Sequence, residues 1–108
     1  MTIETKNAKI ASTMLGKEGH GIMTCMIDLD YGGVHQGFGG YEFSGENSFA
    51  MGFIKAVLKI AGVSRWEDLP GKYIRAKTEP GHIHSIGHIT KDEWFAPEKL
   101  ARDLGLRS

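Results

Sequence analysis

Ile22-Met23-Thr24-Cys25-Met26-Ile27-Asp28-Leu29-Asp30-Tyr31-Gly32-Gly33-Val34-His35-Gln36-Gly37-Phe38-Gly39-Gly40-Tyr41-Glu42-Phe43 is the stretch whose reading decides the fold. Over residues 22–31 the odd positions Met23, Cys25, Ile27, Leu29 and Tyr31 are apolar or aromatic, while Thr24, Asp28 and Asp30 take even ones. A period of two is the signature of a strand with one buried face, and it turns Cys25 inward. Gly32-Gly33 can adopt the positive φ angles of a tight hairpin turn, so residues 34–43 return as the partner strand. That return strand is unusual. Gly37, Gly39 and Gly40 remove side chains where cross-strand packing is wanted, and interior glycines weaken a strand.

Working outward, residues 8–15 form a preceding strand, with residues 1–7 as a flexible leader. After the hairpin, the polar connector Ser44-Gly45-Glu46-Asn47-Ser48 supplies a helix cap at Asn47 or Ser48. Ala50, Phe53, Ile54, Val57, Leu58 and Ala61 then repeat at helical spacing, and Gly62 suits the C-terminal stop. Gly52 inside this helix implies close packing against the sheet. Ser64-Arg65-Trp66-Glu67 has the spacing of a capping box and predicts a short helical turn, with Pro70-Gly71 ending it. Residues 72–77 and 82–89 make a second hairpin through Thr78-Glu79-Pro80-Gly81. Thr90-Lys91-Asp92-Glu93 repeats the capping pattern, and Ala96-Pro97-Glu98 opens a last short helix to Leu104, leaving 105–108 as a flexible tail. The expectation is a single α+β domain: a mostly antiparallel sheet of about five strands, in the order β-β-β-α-β-β, packed on one main helix with short helical additions.

Composition narrows the function classes. The 108 residues are 41% hydrophobic and 24% charged, which supports one core and argues against disorder. Thirteen basic and thirteen acidic residues cancel, so no summed field draws the chain to nucleic acid or an anionic membrane. The single cysteine, Cys25, excludes an internal disulfide and fits a reducing cytoplasm. No export signal or membrane span is legible.

Five of the nine residues from Gly32 to Gly40 are glycine. Such density suits close approach of backbone to a ligand, or a coiled hairpin on which other elements pack closely; both readings stand. On the first, the site comprises Asp30, Tyr31, Gly32, Gly33, His35, Gln36, Gly37, Phe38, Gly39, Gly40 and Tyr41, a set of rings and hydrogen-bonding groups suited to a small anionic nucleotide-like ligand. It is neither a dinucleotide fingerprint nor a P-loop, since the spacing is wrong and no Gly-Lys-Ser/Thr follows. Asp28-Leu29-Asp30 begins like a calcium loop, but the twelfth position is Gly39 where a glutamate is needed. His82, His84 and His88 share strand parity, yet the outer two are ~20 Å apart at ~3.3 Å per residue, too far for one zinc. No metal, cofactor or catalytic group is expected, because Cys25 is inward and no nucleophile elbow exists. Lys72, Arg75, Lys77, Lys55 and Lys59 read as solvated cations, and Trp66 and Trp94 as anchors of the short helices on the core.

Leu29-Asp30-Tyr31-Gly32-Gly33, Gln36-Gly37-Phe38-Gly39-Gly40-Tyr41, Trp66-Glu67-Asp68-Leu69-Pro70-Gly71-Lys72-Tyr73 and Ile86-Gly87-His88-Ile89 together resemble a family of small proteins from tailed phages and prophages, over residues 8–95. The resemblance implies a setting, the host cell cytoplasm, more than a mechanism. Small phage proteins without catalytic motifs often disarm bacterial defences. Three roles follow from that setting: sequestering a small nucleotide immune signal, with the site completed by a second subunit in a possible homodimer; an anti-CRISPR-type inhibitor of a host defence protein; or an accessory protein of phage DNA replication or recombination, whose basic surface would be local.

Overall fold

In the computed structural model residues 3–17, 19, 21, 23–39 and 47–105 are described. The domain is α+β and mostly sheet. Its elements are β1 (Glu4–Lys17), β2 (Met23–Tyr31), β3 (Val34–Gly39), α1 (Asn47–Ala61), a 3₁₀ turn (Trp66–Asp68), β4 (Tyr73–Glu79), β5 (His82–Gly87), β6 (Trp94–Phe95) and α2 (Pro97–Asp103). Among the described residues six strands form one sheet in the order β3-β2-β1-β4-β5-β6. Every pairing is antiparallel.

The long β1 organises the sheet by serving two partners in succession. Its first part pairs with β4, from Glu4↔Thr78 to Lys9↔Tyr73, and its second with β2, from Lys9↔Asp30 to Lys17↔Met23. The register shift between Ile10 and Ser12 leaves Ala11 as an extra residue, and such a bulge bends a strand and increases its twist. The sheet therefore curls round α1. Residues 4–7, expected as a loose leader, are instead laddered to β4; their alternation was hidden because Glu4 and Lys6 point to the open end of the concave face. Gly105 follows the α2 cap, whereas residues 106–108 lie outside the described set.

The concave face holds the core: Ala8, Ile10, Cys25, Ile27, Leu29, Phe38, Ile74, Ala76, Ile83 and Ile86 from the strands, with Phe49, Phe53, Val57 and Ile60 from α1. The helix buries a stripe centred on Phe49, Phe53, Val57 and Ile60, with Ala50, Ile54, Leu58 and Ala61 on its flanks, so the sequence stripe was rotated by about one position. Phe53 stacks on Phe38 at 5.7 Å between centroids and meets Phe95 edge-on at 5.6 Å. Burying a phenylalanine in such a cluster stabilises by roughly 2–3 kcal/mol through removed apolar area. Met23 departs from the expected alternation; it lies at the end of β2 and is exposed.

Other expectations also change. Gly52 faces Leu100 of α2, whose Cδ2 would lie 3.0 Å from an added Cβ, rather than the sheet. The Ser64 capping box is not formed: Arg65 occupies the cap position of the 3₁₀ turn without a side-chain cap bond, and its guanidinium reaches Asp68. Thr90 to Glu93 opens no helix. It forms the bend that delivers Trp94 and Phe95 as the sixth strand, which patterning missed because two residues carry no period. The turn of the second hairpin is Pro80-Gly81, with Glu79↔His82 the closing pair and Gly81 at φ 76°, the proline-then-glycine arrangement of a type II turn. Among the described residues no helix is long and apolar enough to cross a membrane.

Candidate functional site

The first hairpin closes as read. Gly32 (φ 70°) and Gly33 (φ 86°) both take left-handed angles between the paired Tyr31 and Val34, as a type I′ turn requires, and Asp30 Oδ1 accepts the Gly33 N–H at 3.1 Å. Pairing Ile27↔Phe38, Asp28↔Gly37 and Asp30↔His35 then divides the expected site between two faces. Phe38 is core. Tyr31, Gln36 and Val34 line the open end of the concave face, a cavity of about 200 Å³ whose opposite wall is the Thr78–Gly81 turn and whose charged rim is the Glu4–Lys6 pair. Asp30, His35 and Gly37 lie on the outer face with Asp28. Gly40 and Tyr41 fall outside the described residues, as do 42–46.

The glycines past the turn have neighbours inside the molecule. A Cβ on Gly37 would sit 2.9 Å from Met26 Sδ. Gly39 has φ 111°, and a Cβ there would lie 2.4 Å from the Cys25 carbonyl oxygen and 3.0 Å from the Phe53 ring. The helix thus packs directly on β3 backbone. Among the described glycines of the run, Gly32 and Gly33 serve the turn and Gly37 and Gly39 have close neighbours, which removes composition as an argument for a ligand at the latter two positions.

On the outer face, His35 Nδ1 donates to Asp28 Oδ2 at 3.0 Å, and its Nε2 stands 3.8 Å from Asp30 Oδ2. The Asp28 hydrogen bond first, then the charges of Asp30 and Asp28, hold the imidazole pKa above its ordinary value. Two carboxylates face one imidazole here, with Lys9 paired to Asp30 across the strands, so this end of the face is anionic while His35 is neutral.

Across β1 the same face changes sign. Tyr73, Arg75 and Lys77 alternate outward along β4, and Trp94 of β6 reaches over β5 to meet them. Gly87 makes this possible: a Cβ there would stand 2.5–2.7 Å from Trp94 ring atoms, so the indole lies flat on bare backbone. Arg75 Cζ is 4.8 Å and Lys77 Nζ 4.3 Å from the ring centroid, within cation–π range. Arg75 also donates to the His88 and Lys91 carbonyls at 2.8 Å each, and Trp94 Nε1 donates to Asp92. Of the two expected anchors, Trp66 packs on the core, whereas Trp94 sits outside it. The sequence did carry a signal for this cluster, an interior strand glycine seven residues before a tryptophan.

The histidines are separated. His84, the extra residue of a β5 bulge opposite Lys77 and Thr78, contacts Glu79 at 2.7 Å and the His82 ring edge-on at 4.8 Å. His88 follows β5, and its Nδ1 accepts the Thr90 and Lys91 N–H groups. Among the described residues no three His, Cys, Asp or Glu side chains gather to hold a metal ion. Burial pushes the Cys25 thiol up to about 12, leaving it protonated and inert. No protein-family model matches the chain, and no curated protein matches it.

Proposed function

We propose that this chain is a small non-enzymatic binding protein of the phage setting that the resemblance implies, and that it counters a bacterial defence by docking the glycine-rich hairpin on a host defence protein. The carrying observation is the charge at Asp28, His35 and Asp30. A nucleotide signal arriving at the hairpin would meet two carboxylates on the outer face, and the concave end offers only a lysine already facing Glu4. An anionic patch set on a rigid type I′ hairpin suits a cationic protein surface, where complementary charge speeds encounter and fixes orientation. The nucleotide-sequestering reading loses its support at these residues.

Affinity capture from host lysate with the wild type and with Asp28→Asn/Asp30→Asn tests the proposal. The wild type is expected to retain one partner at stoichiometric level and the double variant to lose it. A thermal shift with cyclic di- or trinucleotides, without such a partner, would contradict it and restore the nucleotide reading.

A further inference from the structure

We propose that the outer face of β4 and β6 is a docking surface for single-stranded nucleic acid, a second surface independent of the hairpin. Tyr73 is 57% exposed and shares one line of β4 with Arg75 and Lys77, while Trp94 lies flat beside them on Gly87. An unpaired base stacks on the exposed Tyr73 ring, while Trp94, held between Gly87 and the Arg75 and Lys77 side chains, fixes those cations for the backbone phosphates; a duplex hides its base faces and has no use for the ring. Charge points the same way. Lys9, paired with Tyr73 on β4 and with Asp30 on β2, adds a third cation to Arg75 and Lys77, against the two carboxylates of Asp92 and Glu79 at the margin. The platform is preorganised, because two carbonyls hold the Arg75 guanidinium and Asp92 orients the indole. The zero net charge of the chain conceals this local basic strip.

Fluorescence anisotropy with labelled DNA and RNA single strands of about ten nucleotides, at low salt, tests the assignment. Binding is expected with a log–log salt slope of about −1.4 to −2, from two or three cations at ~0.7 each. Tyr73→Ala and Lys77→Glu should each weaken it by about tenfold, with melting temperatures near wild type, and Asp28→Asn should leave it intact. Absence of binding at low salt, or binding indifferent to both variants, overturns the proposal. So does a free mononucleotide that binds as tightly as the strand, which would make the surface a nucleotide site. Loss of partner capture in Asp28→Asn/Asp30→Asn with strand binding retained separates this surface from the hairpin.

Discussion

The β2–β3 hairpin and the β4–β6 strip are halves of one outer sheet face, and they use glycine in opposite ways. In the hairpin, Gly32 and Gly33 make the exposed turn, Gly37 lies against the Met26 side chain on the outer face and Gly39 admits the Phe53 ring, so the bare backbone serves the turn and the fold's own packing. In the strip a single glycine, Gly87, exists to seat an aromatic ring that remains partly open to solvent. Glycine density thus marks constraint. What a surface offers a partner depends on the side chains that constraint leaves outside: carboxylates and an imidazole on one half, rings and cations on the other.

The largest effect that breaks the comparison is at Gly39. Gly39→Val places a Cβ against the Cys25 carbonyl at a left-handed angle and should cost about 3 kcal/mol or more, seen as lost cooperative unfolding or a sharply lowered denaturation midpoint. Gly87→Ala drives a methyl into the Trp94 ring; about 2 kcal/mol is expected, together with a changed indole fluorescence, because a fused ring has no flexible end to move aside. Gly37→Ala meets only the Met26 thioether, which can swing away, so the change should stay within about 1 kcal/mol. A Gly37→Ala cost as large as that at Gly39 would refute the distinction between backbone-limited and side-chain-limited glycines.

Smaller still is a pH effect confined to the hairpin. The His35 pKa is raised in the folded state, so its contribution is fully present below the unfolded imidazole value of ~6.5 and fades as pH rises through the higher folded value. Melting temperature should therefore fall slightly more in the wild type than in His35→Ala across that window. Identical pH profiles would dismiss the Asp28–His35–Asp30 contact as a solution feature. Native Cys25 should resist thiol reagents near neutral pH, since burial holds it protonated.

Much of this fold was legible. The alternation through Cys25, Ile27 and Leu29, the Gly32-Gly33 turn and the Phe53–Val57 repeat each state a local rule that the tertiary structure keeps. What escaped depended on long-range register. The bulge at Ala11 sets the curl, and it is fixed only when β1 meets both β2 and β4. The two-residue β6 has no period to read. The hairpin site looked like one cluster because neighbours in sequence were grouped, yet strand alternation sends Tyr31 and Gln36 to one face and Asp30 and His35 to the other. Arg75, Lys77, Gly87 and Trp94 span twenty residues and converge only across three strands.

The division of labour across this face is tested most directly by a two-dimensional amide NMR titration with a short single-stranded oligonucleotide. The account predicts shifts at Tyr73, Lys77 and the Trp94 indole N–H, with the amides of Gly32, Gly33, Gly37 and Gly39 unmoved. Shifts concentrated on those hairpin glycines, with Trp94 silent, would contradict it.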